Sequence, residues 1–396
     1  MKLRRIALLV MLLSALAIFF ACDVSNKEAA HPAANDYGGA DDDDDDTDDD
    51  DGSDDDSDVT FNPISINLAM ETTVAESAIQ TGRLHNPFNV TEIEQSNQVF
   101  ALDWRDYLRF IDLAADHSRP ISHQRLWQQF AKIAQGLVQV HDPEQEKELQ
   151  NNETLVSLIS EAMNLNFLLD GIEERELIVT TIRRTTTEFY YEREMVFSDP
   201  YVGDFQGILI TPKTEGPHPA VIAIHGHHDD ASTFIHYNGG ADFPRVGIAL
   251  LALSMRADEA DDIESQVSES LLEAGFSFMA LRIYETALAL KYLQYRPEYD
   301  YRHIGLIGHS GGSVAGNLTA RILPGIRAYV SDLHSNYFNI IPEQVIIDET
   351  TPLLYPYHNA INFLESYPIP VKIVPYGFID GILEILEFFD KELRDD

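Results

Sequence analysis

Apolar residues recur at helical spacing through much of the first half of the chain, between about residues 64 and 184. Side chains three or four positions apart share one face of a helix, so each stripe predicts an amphipathic helix with one buried side. A candidate N-cap, Ser122, precedes the second stripe. The stripes comprise Leu102, Trp104, Tyr107, Leu108 and Ile111; Leu126, Phe130, Ile133 and Leu137; and Leu155, Leu158, Ile159 and Ala162.

From about Thr187 onward, short apolar runs alternate with longer amphipathic segments. This alternation is typical of a parallel sheet whose strands are joined by crossover helices. The sequence therefore predicts an α/β fold with a doubly wound, mostly parallel sheet after a helical N-terminal region. The predicted strands are 205–211, 220–225, 247–253, 303–307, 327–331 and 371–374, and the predicted helices between them include 281–293 and 313–323.

The N-terminus has the pattern of a secretion signal, with Lys2, Arg4 and Arg5 before an apolar run. The run ends in Phe-Phe-Ala-Cys22, which resembles the lipobox of bacterial lipoproteins, although Phe19 stands where an aliphatic residue is usual. In that family the cysteine is lipidated and becomes the mature N-terminus. Cys22 is the only cysteine, so an intrachain disulfide is excluded. We therefore expect an envelope lipoprotein anchored in the lipid bilayer through Cys22.

Aspartate fills most of residues 41–58. Like charges at this density repel one another and cannot pack, so the segment is predicted to be a disordered tether. The formal net charge of −39 argues against a nucleic-acid partner. The predicted organisation is a signal peptide at 1–22, a tether at 23–62, a helical region at 63–186 and an α/β domain at 187–396.

A candidate nucleophile lies in the run Gly308-His309-Ser310-Gly311-Gly312, which matches G-x-S-x-G. The run follows an apolar strand and precedes a helix rich in small residues, which is the context of a nucleophile elbow. The serine of such an elbow sits on a strained turn, and small neighbours let the backbones pass. The first N–H groups of the following helix favour a developing oxyanion. We therefore expect Ser310 to be the nucleophile and the Gly311 N–H to be an oxyanion donor.

The strand predicted at 220–225 ends in a His-Gly pair that opens a histidine-rich loop. In α/β-hydrolases this loop supplies the second oxyanion donor, here a backbone N–H near His227. A rival interpretation is a metal site, because histidine and aspartate are metal ligands. The elbow downstream favours the first interpretation, and we expect neither a metal nor a cofactor. The residues of the rival site are His225, His227, His228, Asp229 and Asp230.

Residues from about 188 to 322 resemble the acetyl xylan esterase and dienelactone hydrolase-like branch of the α/β-hydrolases. The matching segments, in the family's order and spacing, are 207–212, 217–226, 274–275, 287–293, 296–300 and 304–312. The resemblance implies a serine hydrolase that acts on a small-molecule ester. Arg256 resembles an arginine often found after the fourth core strand, but the usual Asp-x-Arg is Ser-Met-Arg here.

The resemblance also implies an acid and then a histidine base after the serine, and here the sequence leaves alternatives open. In the preferred alignment, Asp380 follows an acid-bearing strand. In the other, residues 371–377 are the last strand, the acid is Asp348 or Asp332, and Phe378-Ile379 replace the histidine. Only His334 and His358 follow Ser310, and His358 is the tentative base.

Two functions of different classes follow. The first is a serine carboxylic-ester hydrolase that uses Ser310. The second is a catalytically degenerate hydrolase fold retained as an envelope binding or scaffold lipoprotein, which the missing histidine of the family position favours.

Lipidation at Cys22 predicts that globomycin, which blocks lipoprotein signal peptidase, causes the unprocessed precursor to accumulate in the expressing cell. The measurement is a pulse-chase immunoblot with a Cys22→Ser control. Release of an unlipidated, shortened product from untreated cells would contradict the prediction.

Overall fold

A nine-stranded sheet forms the centre of the computed structural model. The structure describes residues 89–95, 105–134, 152–227, 229–255, 261–333, 351, 354–355, 361, 367–375 and 378–394. The strand order is β1-β2-β3-β4-β6-β5-β7-β8-β9, and the neighbours from β6 to β9 are all parallel. The predicted α/β class, with a mostly parallel sheet, is confirmed.

The strands and helices are numbered here in chain order. The strands are β1 (Val90–Glu94), β2 (Leu177–Thr186), β3 (Tyr190–Asp199), β4 (Gly203–Pro212), β5 (His218–Ile224), β6 (Ala249–Ser254), β7 (Tyr299–Gly308), β8 (Ile326–Ser331) and β9 (Val371–Ile373). The α-helices are α1 (Arg105–Leu113), α2 (His123–Ala134), α3 (Asn152–Ala162), α4 (Leu165–Leu169), α5 (Ala231–His236), α6 (Asp261–Ala274), α7 (Phe278–Tyr295), α8 (Gly311–Ile322) and α9 (Phe378–Glu392).

Both faces of the sheet are buried, and β5 shows how the sequence produces this. Side chains alternate between the faces of a strand, so a strand buried on both sides is a continuous apolar run. Ala220, Ile222 and Ile224 face a core cluster with α7 and α8, whereas Val221 and Ala223 face a second cluster with α5 and α9. The sheet is therefore doubly wound, with helices on each side.

The helical stripes of the first half pack on the same core as the sheet. Ile111 of α1 packs against the cluster that contains α7, and Leu155 and Ile159 of α3 are fully buried in that cluster. Leu126 and Phe130 of α2 form a smaller cluster with Leu272 of α6. The buried members of these stripes are therefore core residues, and all the described residues belong to one compact unit, Ile66–Asp396.

The predicted helical region at 63–186 needs a correction, because it also contains β1 and β2. Strand β1 pairs in parallel with β2, and β2 pairs antiparallel with β3. The sheet therefore begins before residue 187. Strand β2 carries polar side chains such as Thr180 and Arg184, and this weakens the apolar alternation that identifies strands.

Helix α9 closes the second face of the sheet. Its Phe389 is fully buried, and a Cβ added at Gly305 of β7 would lie 2.6 Å from Phe389 Cε1. Only a glycine at this point of β7 lets the aromatic ring lie against the strand.

No helix in the described part of the chain is both long and apolar enough to cross a bilayer.

We predict that Phe389→Ala lowers the free energy of unfolding by about 3–5 kcal/mol, because it removes a buried ring and leaves a cavity against β7. The neighbouring Phe388 is only partly buried and is the matched control. Urea denaturation of both variants is the measurement. Equal losses would contradict this packing of α9.

Candidate active site

The strand order changes direction at β5, and this positions the site. The chain runs from β5 to β6 on one side and later inserts β7 on the other side of β5. Loops that leave adjacent parallel strands in opposite directions open a crevice at the carboxyl ends of the strands, where ligands bind in open α/β sheets. Strand β5 ends before His225-Gly226, and β7 ends before His309-Ser310.

Ser310 has an unusual backbone conformation at this point. Its φ is 50° and its ψ is −119°, and it caps the N-terminus of α8 directly after β7. Asn164 is the only other non-glycine residue with positive φ in the described part of the chain. Such a conformation costs roughly 1–3 kcal/mol and persists where the surrounding structure enforces it. The side chain of Ser310 lies between strand and helix, and the residue is only partly buried.

Three glycines make this turn sterically feasible. A Cβ at Gly308 would lie 2.4 Å from the carbonyl oxygen of Gly312, and a Cβ at Gly312 would lie 2.2 Å from that of Ile224. A Cβ at Gly226 would lie 2.7 Å from Ser310 Cβ. These distances are far below van der Waals contact, so the loop after β5 and the turn after β7 approach too closely for a β-carbon at any of the three glycines.

Asp332 holds the turn from the neighbouring strand, because it follows β8 at the same edge of the sheet. Its Oδ1 accepts a hydrogen bond from the Ser310 N–H at 2.9 Å and lies 2.8 Å from Ser313 Oγ. Its Oδ2 accepts from His309 Nδ1. The Asp332 side chain is only 8% exposed, so these contacts replace the water that the carboxylate loses.

His309 is the titratable group next to Ser310. The hydrogen bond to Asp332 raises the pKa of His309 above its usual 6.5, and the nearby charges of Asp332 and Asp229 add to the rise, while burial opposes it. Its Nε2 lies 3.7 Å from Asp229 Oδ2. A Cβ at Gly226 would lie 3.3 Å from His309 Cδ2, so the imidazole and Ser310 both approach Gly226 on the side where a β-carbon would stand.

Several residues of the rival metal interpretation have other partners in the structure. The Nδ1 of His225 donates to the Gly226 carbonyl at 2.7 Å, and its Nε2 accepts from the Met255 N–H at 2.8 Å. Burial lowers the pKa of His225 to about 4, so the ring is neutral. Asp230 instead caps α5 by accepting from the Thr233 N–H.

The remaining loop residues also have other contacts. The Nε2 of His227 lies 3.6 Å from Glu264 Oε2, and His228 lies outside the described residues. In the part of the chain that the structure describes, the one group of three metal-ligating side chains is His123, Glu269 and Glu273, which joins α2 to α6.

The two expected oxyanion donors lie on the two sides of the crevice. Gly311 is the first residue of α8, where N–H groups have no partner within the helix. His227 follows β5 in the loop that touches Ser310 through Gly226. Their roles in binding an oxyanion stay predictions.

The preferred alignment, with Asp380 as the acid, stays a prediction. Asp380 lies in the first turn of α9 and is exposed, and α9 packs on the same face as α5. Residues 371–373 are the last strand of the described sheet, which both alignments allow, and the ring centroids of Phe378 and His309 lie 5.4 Å apart. Asp332 is the carboxylate that contacts the elbow. His334, His358, Asp348, Arg256 and Cys22 lie outside the described residues.

Sequence reasoning missed the pairing of His309 with Asp332, because it searched for a base only after Ser310. One signal was available. The apolar strand at 327–331 ends directly before Asp332, and neighbouring parallel strands end at one edge of the sheet. Once β8 is placed beside β7, the Asp332 carboxylate lies level with the end of β7, beside the histidine of the G-x-S-x-G run.

Comparison with known proteins gives a likeness to solved structures alone, since no family model and no curated protein matches the chain. Acetyl Xylan Esterase 1 from Thermoanaerobacterium sp. JW/SL YS485 is 16% identical with a TM-score of 0.43, over 60% of this chain and 94% of that one. The acetyl xylan esterase from Paenibacillus sp. R4 is 12% identical with a TM-score of 0.42, over 59% and 95%. A methylesterase is 16% identical with a TM-score of 0.42, over 66% and 61%.

The raised pKa of His309 predicts a pH-dependent contribution to stability. Because the folded-state pKa lies above 6.5, the charged pair with Asp332 stabilises the fold fully below about pH 6.5, and this contribution is lost as pH rises through the folded-state value. The loss of stability in His309→Gln is therefore expected to be larger at about pH 6 than at about pH 9. Urea denaturation across pH is the measurement, and Asp332→Asn as background should remove the trend. If His309→Gln lowered the free energy of unfolding by the same amount at every pH, in the wild type as in the Asp332→Asn background, the pairing would be contradicted.

Proposed function

We propose that the protein is a serine hydrolase of carboxylic esters, with Ser310 as the nucleophile. The observation that carries the proposal is the strained conformation of Ser310 between β7 and α8, at the point where the sheet reverses its order. Strain of this kind is retained at functional sites. A serine that only filled a turn would need neither the positive φ nor the three glycines around it.

A helix N-terminus lies where an acyl carbonyl would develop negative charge. The N-terminus of α8 carries a partial positive charge from its aligned peptide dipoles, and Gly311 is its first residue. In the proposed reaction, Ser310 Oγ attacks the ester carbonyl. The N–H groups of Gly311 and the His227 loop hold the oxyanion.

The proposed base is His309. A serine hydroxyl must lose its proton as it attacks, and a histidine fixed by a carboxylate performs this step in serine hydrolases. Asp332 binds Nδ1 of His309, so the proposal assigns the proton of Ser310 to Nε2, the other ring nitrogen. The same nitrogen then protonates the leaving alcohol, and water releases the acyl group by the reverse sequence.

The charges around Ser310 narrow the substrate class. Asp332 and Asp229 lie on either side of the His309 ring, and Phe378 covers its third side. The Asp332 and Asp229 carboxylates repel a negative charge on a ligand beside His309, so the site favours a neutral acyl group over an anionic one. Together with the predicted lipidation of Cys22, this suggests an esterase of the bacterial cell envelope, held at the membrane by its tether.

The test is labelling of the protein by a fluorophosphonate probe, together with hydrolysis of short p-nitrophenyl esters. We expect Ser310→Ala to abolish labelling. His309→Gln should lower kcat/KM by about 10²–10⁴-fold, the usual contribution of a positioned base. Asp332→Asn should also lower it, because the imidazole loses its orientation.

The control is His236→Gln, which alters an exposed histidine of α5 away from the elbow. It should leave kcat/KM unchanged. The histidines predicted from sequence are tested in parallel by His358→Ala and His334→Ala. A loss with either of these that equals the loss in Ser310→Ala, together with a fully active His309→Gln, would reassign the base. Equal inertness of the wild type and Ser310→Ala on a broad ester panel would overturn the enzyme and favour the binding-protein alternative.

A further inference from the structure

A second cleft lies at the opposite ends of the central strands from Ser310. It has a volume of about 530 Å³ and is lined by residues at the amino ends of the central strands, among them His218 of β5 and Tyr299 of β7. This volume is typical of sites for small molecules. The proposed esterase reaction uses no residue of this cleft.

Cationic side chains dominate the charged lining of this cleft. Arg184, Arg193 and Arg296 line it, against one carboxylate, Glu298. The contrast with the rest of the chain is sharp, because the formal net charge of the protein is −39. A local excess of arginine in an acidic protein calls for a physical explanation.

Two of these arginines lie directly opposite one another. In the antiparallel pairing of β2 with β3, Arg184 is the partner of Arg193. Side chains in such positions lie on the same face of the sheet, and like charges placed there destabilise the pairing. The preceding pair, Arg183 with Glu194, has the favourable combination and forms an ion pair on the other face.

The nearby carboxylates form ion pairs with the other two arginines of the cleft, Arg296 and Arg184. Arg296 binds Glu298 with its Nε at 3.0 Å and also with Nη2, and it contacts Glu92 as well. Arg184 pairs with Glu94, but both side chains are more than half exposed, so the pair is weakly held.

Arg193 has a different environment. It is only 8% exposed, and its Nη2 donates to the Tyr299 hydroxyl at 2.7 Å. That hydroxyl also lies 2.8 Å from Thr211 Oγ1. Within the described residues, no carboxylate lies within salt-bridge distance of Arg193. A buried guanidinium without a direct counter-ion is costly, because it loses its hydration.

We propose that this cleft binds a small ligand through a carboxylate or phosphate group held between Arg193 and Arg184. The planar guanidinium presents paired N–H donors that match the oxygens of either anion. The anion supplies the counter-charge that Arg193 lacks and relieves the repulsion across β2 and β3. Tyr191, two residues before Arg193 on the same strand face, lines the cleft and is half exposed, which offers a ring surface to the rest of the ligand.

The test is isothermal titration calorimetry of the full chain with inorganic phosphate, glucuronate and glucose at matched ionic strength. Glucuronate and glucose differ in the carboxylate, so the pair isolates the contribution of the anion. We expect saturable binding of one molecule of phosphate or glucuronate and none of glucose. The anion that binds with the higher affinity shows whether the cleft prefers a phosphate or a carboxylate group. Absence of saturable binding by both anions, or equal binding of glucose, would overturn the proposal.

Three variants separate this site from nonspecific ion binding. We expect Arg193→Gln and Arg184→Gln each to weaken the anion's affinity about tenfold or more, as loss of a charge-assisted hydrogen bond does. Arg183→Gln is the matched control, because it removes the neighbouring arginine on the other face of β2. Arg184 is exposed, so its variant carries the test if Arg193→Gln fails to fold. Unchanged affinity in Arg184→Gln, or an equal loss in Arg183→Gln, would contradict the assignment.

Discussion

The hydrogen bonds of the Asp332 carboxylate hold the candidate site together. One buried side chain, at the end of β8, contacts the Ser310 N–H, Ser313 Oγ and His309 Nδ1. The strained turn at Ser310 would relax without an external constraint, since a residue with positive φ and a β-carbon is costly. The carboxylate in turn depends on these donors, because a buried anion needs its hydrogen bonds satisfied. Strand order, strain and side-chain charge therefore depend on one another at this edge of the sheet.

Much of the fold follows from the periodicity of the sequence. The continuous apolar run of β5 predicts a strand buried on both faces, and the structure divides its side chains between two cores. The small residues around Ser310 predict a tight turn. In the structure a β-carbon at Gly308 or Gly312 would collide with backbone atoms. Signals of this kind are local, so a single sequence carries them.

The errors arose where the information is not local. Strand β2 was assigned to a helical region because its polar second half, from Arg183 onward, is exposed, so burial does not enforce alternation there. The pairing of Asp332 with His309 was missed because it depends on which strand lies beside β7, and spacing along the chain does not show this. The opposition of Arg184 and Arg193 depends on register, and a bulge between Thr181 and Arg183 sets that register. Spacing in the sequence cannot reveal any of these pairings.

The central claim is that His309, oriented by Asp332, removes the proton from Ser310. The rate at which a fluorophosphonate labels Ser310, measured across pH, tests it most directly. A base acts only when neutral, and the pKa of His309 is raised above 6.5. The account predicts that the labelling rate of the wild type rises with pH through a midpoint above 6.5 and that this midpoint is absent in His309→Gln. A wild-type profile that persists unchanged in His309→Gln would contradict it.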